Sequence, residues 1–260
     1  MLEGLIAVGA AAAVSIAAWR LGALSASGAV AGTVIGGVVF GTGGFGAALV
    51  LVTFFISSSA LSLLAPRGER SARDAWQVLA NGSVAAVAIA LTEFHPMARV
   101  AFLGATAAAT ADTWATEIGV RLGKTPRSIL SLRRQEPGSS GAVSIPGTLA
   151  AAAGALAVGG AGYWLMAGIS GLELVAVSLG GLLGSILDSL LGAGLQARYK
   201  CSLCAMFPEV ARHGGCSERA TRLSGVPGLD NDAVNWLATA AGAALAVLLL
   251  SFARGPLRVT

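Results

Sequence analysis

Residues 171–192 read GLELVAVSLGGLLGSILDSLLG, an apolar segment with Asp188 in its second half. About 20 helical residues cross the hydrocarbon core of a bilayer, and this segment, which continues to residue 197, is long enough to do so. Similar segments recur along the whole chain. Of its 260 residues, 55% are hydrophobic and 12% are charged, whereas about a quarter of the residues in soluble proteins are charged. The sequence therefore predicts an integral membrane protein.

The apolar segments define the fold class. We predict an all-α fold, a polytopic membrane bundle of about seven to eight transmembrane helices that forms a single integral membrane domain over residues 1–260. The first segment has no Lys or Arg before its apolar run, so it is read as a spanning helix and not as a cleaved signal peptide. The predicted spans are 4–20, 27–42, 44–64, 77–93, 97–121, 143–167, 171–197 and 231–253.

Basic residues predict the orientation. With these spans, 14 Lys and Arg residues lie on one side of the membrane, and only Arg99, Arg254 and Arg258 lie on the other. Because cytoplasmic loops are enriched in Lys and Arg, we expect loops 65–76, 122–142 and 198–230 to face the cytoplasm from the cell (inner) membrane. The lipid bilayer is the expected partner. A nucleic-acid partner is not expected, because the basic residues are scattered between apolar segments.

Glycines recur at a spacing of four residues in two of the predicted helices. Gly28, Gly32 and Gly36 form one series, and Gly180 and Gly184 form another. Small residues at this spacing let helix backbones approach each other closely in lipid. We interpret both series as helix-packing surfaces.

Three of the apolar segments carry carboxylates that membrane helices normally exclude. They read ADTWATEIG at 111–119, GSILDSLLG at 184–192 and DNDAVN at 230–235. A charged side chain at the bilayer centre costs about 3 kcal/mol even on the gentler insertion scale, so such residues usually face a polar interior and have a function. In the predicted orientation, all three segments place their acidic residues toward the cytoplasmic side.

Carboxylates that converge from several helices predict a metal–phosphate site. Mg²⁺ prefers oxygen ligands and is often shared between one or two carboxylates and substrate phosphates, which suits Asp112 and Asp188. Glu117 follows Asp112 by five residues, about 140° around a helix, and is assigned to a second subsite. Simpler explanations remain open: Asp230 or Asn231 could cap the last helix, and Asp112 or Asp188 could pair with a basic side chain.

A basic loop precedes the sixth predicted helix. It contains Lys124, Arg127, Arg133 and Arg134 and ends in GSSG at 138–141. A glycine-rich turn at a helix N-terminus offers backbone N–H groups to phosphate, although the Gly-Lys-Ser/Thr ending of a Walker motif is absent. The alternative is a flexible loop whose charges only set the orientation.

All three cysteines lie in the last predicted cytoplasmic loop. Cys201 and Cys204 are followed by His213 and Cys216. This spacing suits a structural zinc site, and a cytoplasmic location argues against a stable disulfide. Buried thiols or a redox pair remain the alternatives.

With these motifs, the sequence resembles the integral membrane family that includes transmembrane protein nineteen and the plant phytyl-phosphate kinase. The resemblance covers nearly the whole chain. It is carried by Ala111–Gly119, Gly141–Ser144 with Gly147 and Thr148, Asp188–Ala193 with Gln196, Asn231 and Asp232 with Asn235, and Asn81 with Gly82.

The resemblance implies a membrane kinase that phosphorylates an isoprenoid (phytyl or prenyl) monophosphate to a diphosphate with a nucleoside triphosphate. The acidic pattern is also distantly similar to phytol and dolichol kinases and CDP-lipid synthases, which suggests Mg²⁺ and, as one option for the nucleotide, CTP. No oligomeric state is predicted. An apolar groove between helices is expected to hold the lipid tail.

This interpretation gives each candidate residue a role. Asp112, Asp188 and Glu117 are the catalytic candidates, and Asp112, Asp188 and Asp232 are the candidate Mg²⁺ ligands. The candidates for substrate and nucleotide-phosphate binding are Asn81, Thr113, Lys124, Arg127, Ser128, Gly138, Ser139, Ser140, Gly141, Ser189, Gln196, Asn231 and Asn235.

Two other functions fit part of the pattern. A cytidylyltransferase would make a CDP-lipid from the same substrates at the same site. A transporter could use buried carboxylates to bind coupling ions, but its charges would be expected near the membrane midplane and not at one face.

Overall fold

The computed structural model of the protein describes residues 2–63, 72–204 and 219–255. Over these residues the chain forms a helical bundle with two small antiparallel hairpins, which confirms the predicted all-α membrane fold. The helices are α1 Leu2–Arg20, α2 Ala26–Leu63, α3 Ala75–Ala90, α4 Ala98–Leu122, α5 Ile145–Leu165, α6 Gly171–Gly194 and α7 Asn231–Arg254. Strand β1 Arg127–Ser128 pairs with β2 Ala142–Val143, and β3 Arg198–Lys200 pairs with β4 Thr221–Ser224.

Helix α2 folds back on itself and so accounts for two predicted spans. It has 38 residues, and Gly44 interrupts it with φ 71° and ψ −170°. A straight helix of this length would extend about 57 Å, yet both of its ends lie beside Arg73. A Cβ on Gly28 would clash with the Arg73 carbonyl oxygen, and Arg73 Nη2 donates to Ser62 Oγ at 3.3 Å. The break therefore lies between the predicted spans 27–42 and 44–64.

Helix α4 occupies the centre of the bundle. It contacts α2, α3, α5, α6 and α7, and residues 98, 100 and 102–111 are buried. Helices α1, α2, α5, α6 and α7 are long and apolar enough to span a membrane. Because α2, α3, α5, α6 and α7 surround α4, its polar residues are shielded from lipid, and α4 tolerates a lower hydropathy than its neighbours.

Small residues bring the helix backbones together. An added Cβ would lie 3.0 Å from Ala11 Cβ at Gly36, on the α1–α2 contact, and 2.6 Å from Ala246 N at Gly180, on the α6–α7 contact. At Gly184, it would lie 2.8 Å from Ala108 Cβ in α4. The prediction of helix packing is confirmed for Gly36, Gly180 and Gly184, whereas Gly28 packs against the Arg73 carbonyl in the segment before α3.

The ends of two predicted helices need correction. Helix α3 begins at Ala75, two residues before the predicted start, because Asp74 and Gln77 form a reciprocal capping box. Asn81 therefore lies in the second turn of α3. Helix α6 ends at Gly194 and not at 197, because residues 198–200 form strand β3.

The bundle has two chemically different faces. We call the end that carries residues 21–25, 72–74, 123–144, 195–204 and 219–230 the loop face, and the end that carries residues 91–97 and 166–170 the opposite face. Of the described Lys and Arg residues, Arg99 and Arg254 lie toward the opposite face and all others lie toward the loop face. That the loop face is cytoplasmic remains a prediction.

Candidate functional site

A cavity of about 860 Å³ lies at the loop-face end of the bundle. Every helix from α2 to α7 contributes to its walls, together with the segment 137–144. The cavity brings together most of the residues that the sequence singled out. These are Asn81, Asp112, Thr113, Glu117, Gly138, Ser139, Ser140, Gly141, Asp188, Ser189, Gln196, Asn231 and Asn235.

Two carboxylates line the cavity, Asp112 from α4 and Asp188 from α6. Ala108 and Gly184 precede Asp112 and Asp188 by one helical turn, and their close contact brings the two helix faces together. The Asp112 and Asp188 carboxylates interact electrostatically. In the described parts of the chain, the buried Asp188 Oδ2 has no hydrogen-bond partner. The side chain is therefore placed to accept a contact from a group that enters the cavity.

The donor set fits a hard divalent cation held jointly with a ligand. Within residues 2–63, 72–204 and 219–255 there is no cluster of three or more His, Cys, Asp or Glu side chains that would enclose a metal by itself. Mg²⁺, however, commonly uses one or two carboxylates and completes its octahedral shell with water and phosphate oxygens. Asp112 and Asp188, with the unpartnered oxygen of Asp188, match that mode of binding. Asp232 lies in the first turn of α7 and does not line the cavity.

Glu117 belongs to a different part of the wall. Ser62 Oγ donates to Glu117 Oε1 at 2.6 Å, and Arg121 Nη1 donates to Oε2 at 2.9 Å. Arg121 Nη2 also donates to the Leu61 carbonyl at 2.9 Å. These contacts tie α4 to the end of α2, so Glu117 is satisfied within the protein and stands apart from the pair of aspartates.

The glycine-serine turn closes one side of the cavity. Gly138 and Gly141 have φ 82° and 74°, a region that favours glycine. Arg198 Nη2 donates to the Ser140 carbonyl at 3.0 Å and so holds the turn from strand β3. Ser144 then caps α5 by accepting from Gly147 N at 3.2 Å. The turn thus precedes the N-terminus of α5, as the sequence predicts, with the two residues of β2 and the cap Ser144 between them.

Amide side chains line the walls from α3 and α7. Asn231 and Asn235 are one turn apart and both reach the cavity. Asn81 Nδ2 donates to the Gln77 carbonyl at 2.9 Å. Asp230 accepts from Ala233 N at 3.0 Å, which confirms the open alternative that this residue caps the last helix.

Comparison with known proteins places the chain in a family. Residues 9–243 match the family described as Integral membrane protein DUF92. The chain belongs to this family. No solved structure matches the chain.

Three relatives align with much of the chain. An uncharacterized membrane protein of Methanocaldococcus jannaschii is 31% identical over 65% of this chain and 74% of its own length. Protein PGR of Arabidopsis thaliana is 27% identical over 92% of this chain and 90% of its own. An uncharacterized membrane protein of Synechocystis is 25% identical over 82% and 78%. These relatives support the membrane fold and name no reaction.

Three predicted phosphate-binding residues do not line the cavity. Lys124 is exposed at the loop face, and Arg127 is exposed and donates through Nη1 to the Leu132 carbonyl at 2.8 Å. Ser128 is buried and accepts from Ser131 N at 3.3 Å. The β1–β2 hairpin therefore directs these side chains into contacts of its own or into solvent.

The predicted zinc site falls only partly on described residues. Cys201 is buried and Cys204 is exposed. His213 and Cys216 lie outside the described residues. The zinc site therefore stays a prediction.

The cavity also contains polar residues that the sequence reasoning missed. They include Arg73, Gln77, Ser59, Ser62, Thr116 and Ser185. Gln77 and Asn81 have the four-residue spacing of one helix face, which is a signal that could have found Gln77, whereas Arg73 lies before the start of α3. The serines at the end of α2 carry a weaker signal, because hydroxyls in apolar helices commonly bond to their own backbone.

Proposed function

We propose that the protein is a membrane-embedded, Mg²⁺-dependent kinase that transfers a phosphoryl group from a nucleoside triphosphate to an isoprenoid monophosphate. CTP is one option for the donor, and the site faces the cytoplasm. One observation supports this above all others: the Asp112–Asp188 pair lies among other polar side chains in a cavity at the loop-face end of the bundle, and Asp188 Oδ2 lacks a partner among the described residues.

The residues around the pair suit phosphoryl transfer. This chemistry depends mainly on positioning and charge neutralisation, and a bound Mg²⁺ would neutralise phosphate oxygens and align them. Asp112 and Asp188 would hold the metal. Asn231 and Asn235 would donate amide N–H groups to phosphate oxygens, as would the 138–141 turn through its backbone. A phosphate acceptor is already nucleophilic near neutral pH, so the site needs no strong general base.

A second, apolar groove is suited to the hydrocarbon tail. It has a volume of about 420 Å³ and runs between α3, α4 and α7. Its lining includes Val84, Trp236 and Ala240. Because Asn81 and Asn235 of the cavity lie next to this groove along α3 and α7, a lipid phosphate in the cavity could extend its tail into the groove and onward into the bilayer.

The test is a product assay on the purified full-length protein. It is incubated with Mg²⁺, each nucleoside triphosphate and prenyl monophosphates of several chain lengths, and the lipid products are identified by mass spectrometry. We expect a prenyl diphosphate that disappears in the Asp188→Asn protein. Asp230→Asn is the matched control, because Asp230 is a carboxylate of the same face that caps a helix and does not line the cavity.

Other outcomes of the product assay would favour a different function. A nucleotide–lipid adduct with release of pyrophosphate would identify a cytidylyltransferase. No product with any donor and acceptor, from protein that is folded and bound to lipid, would contradict an enzyme of this class and favour ion-coupled transport.

A further inference from the structure

A phosphate in the cavity would need a basic side chain to bind it, and the assignment of that side chain rests on the proposed function. The sequence favours the loop residues Lys124 and Arg127, yet neither lines the cavity. Among the described Lys and Arg residues, only Arg73 lines it. We infer that Arg73 is the anion-binding residue of this cavity and that it binds a phosphate group opposite the Asp112–Asp188 pair.

The backbone of Arg73 is fixed before any ligand arrives. Arg73 N donates to the Ala23 carbonyl at 3.1 Å, and the Arg73 carbonyl accepts from Ser25 N at 3.0 Å. Gly28 packs against the same carbonyl, where a Cβ would clash. The residue therefore joins the α1–α2 connection to the start of α3, and its position requires little reorganisation on binding.

The side chain is oriented by neutral groups. Nη1 donates to Ser59 Oγ at 3.1 Å, and Nη2 donates to Ser62 Oγ at 3.3 Å. A guanidinium has five N–H donors in a rigid fork, so two contacts leave donors for an anion. The serines thus hold the fork in place without neutralising its charge.

Glu117, the carboxylate whose charge acts on Arg73, is already paired with another arginine. Glu117 forms its ion pair with Arg121 at 2.9 Å, and among the described residues Arg73 has no ion pair of its own. Burial lowers the pKa of Arg73, and the charge of Glu117 acts in the opposite direction. Because an arginine remains protonated in proteins, the cavity wall carries a charge that an anion would compensate.

The walls of the cavity are complementary to a phosphate–metal pair. Arg73, just before α3, and Gln77 and Asn81 in α3 all line the cavity and carry side-chain N–H donors. Asp112 and Asp188 present oxygen acceptors from α4 and α6. A phosphate between them would meet donors on one side and, through a cation, carboxylates on the other.

The experiment measures anion binding without turnover. Purified full-length protein in detergent is titrated with inorganic pyrophosphate and Mg²⁺ by isothermal titration calorimetry. We expect Arg73→Gln to weaken binding by about ten- to hundredfold, the value of a charge-assisted contact. Arg133→Gln, which removes an exposed charge of the same face, should change the affinity by less than about twofold.

The variants also separate a specific contact from a loss of fold. Arg73→Lys keeps the charge but not the fork and should weaken binding by at least about threefold. Circular dichroism and size-exclusion chromatography check that each variant is folded. If Arg73→Gln does not fold, the affinity of the Arg73→Lys protein for pyrophosphate is the test. An affinity equal to that of the wild-type protein would overturn the inference.

The outcomes distinguish this inference from the proposed kinase. Wild-type protein that does not bind pyrophosphate, or binding that is lost in Lys124→Gln and Arg127→Gln but kept in Arg73→Gln, would overturn the anion site. Binding that depends on Arg73, without any phosphoryl transfer in the product assay, would leave the anion site in place and contradict the kinase.

Discussion

The buried carboxylate oxygens at the two ends of the bundle differ in their hydrogen bonding. At the opposite face, Glu173 accepts from Ser170 N at 2.6 Å, from Ser170 Oγ at 2.9 Å and from Arg254 Nη2 at 2.9 Å. At the loop face, Asp188 Oδ2 is buried and has no hydrogen-bond partner among the described residues. Glu173 joins two helices through an ion pair, whereas Asp188 lines a cavity with one oxygen that has no partner among the described residues.

This difference separates structural charges from functional ones. A buried charge is costly unless it is paired and hydrogen-bonded. Glu173 meets that condition and joins the start of α6 to the end of α7. Asp188 Oδ2 does not meet it among the described residues, and in the proposed function a bound cation would meet it. We therefore expect substitutions of Asp188 to lower activity without lowering stability, and substitutions of Glu173 to lower stability without lowering activity.

The largest expected effect is the loss of activity when either cavity aspartate becomes an amide. Asp188→Asn and Asp112→Asn should each lower prenyl phosphate phosphorylation by at least about a thousandfold, because the Mg²⁺ that would neutralise the phosphate oxygens would lose an anionic ligand. The thermal unfolding midpoint should stay the same or rise, because a neutral amide is less costly to bury than an unpaired carboxylate. Initial rates and thermal unfolding in detergent measure the two effects.

A fall in the unfolding midpoint together with retained activity would contradict the assignment. It would show that the aspartates are structural, like Glu173. The comparison between the two faces would then fail.

The next effect concerns the shape of the glycine-serine turn. Gly141 and Gly138 both have positive φ, so an alanine is strained at either position. At Gly141, however, a new Cβ would also clash with Ala193, whereas at Gly138 its nearest neighbour would be Val120 Cγ2 at 3.7 Å. We expect Gly141→Ala to lower kcat by about ten- to hundredfold and Gly138→Ala by much less.

Comparing Gly141→Ala with Gly138→Ala separates the effect of displacing the turn from the effect of backbone strain. Both variants are compared by kcat and KM under the same conditions. Equal losses would mean that strain alone matters and that the contact of the turn with α6 does not position the site.

A smaller effect is expected in the apolar groove. Ala240→Trp should fill part of the space between α3 and α7 and lower kcat/KM for a long-chain prenyl phosphate by about tenfold, because binding energy from the tail is lost. A short-chain substrate should be affected less. Ala13→Trp, on the exposed surface of α1, is the control for added bulk in the lipid-facing surface, and an equal loss there would remove the groove from the proposal.

The spans and the convergence of acidic residues could be predicted from the sequence. Apolar length is a strong signal, because a membrane helix must satisfy its backbone internally over about 20 residues. Even the break in α2 is visible, because the predicted spans end at 42 and restart at 44. Helix direction alone then places Asp112, Asp188 and Asn231 at one end of the bundle.

The identity of the cationic partner could not be predicted in the same way. Lys124 and Arg127 are near the acidic helices in sequence, but the β1–β2 hairpin keeps them from the cavity. Arg73 is brought there by contacts with residues 23 and 25 and with the end of α2. Such contacts depend on how loops and helices pack in three dimensions, and composition and periodicity carry little information about them.

The smallest expected effect lies at the opposite face and concerns stability alone. Glu173→Gln should lower the free energy of unfolding by about 1 kcal/mol, because glutamine can keep the capping box but loses the ion pair with Arg254. Glu173→Ala should lower it by about 2 kcal/mol, because the cap contact is lost as well. Thermal or denaturant unfolding in detergent measures the change, and kinase activity should stay within about twofold. Loss of activity in Glu173→Gln with unchanged stability would instead give this carboxylate a functional role, because its charge would then matter beyond the α6–α7 contact.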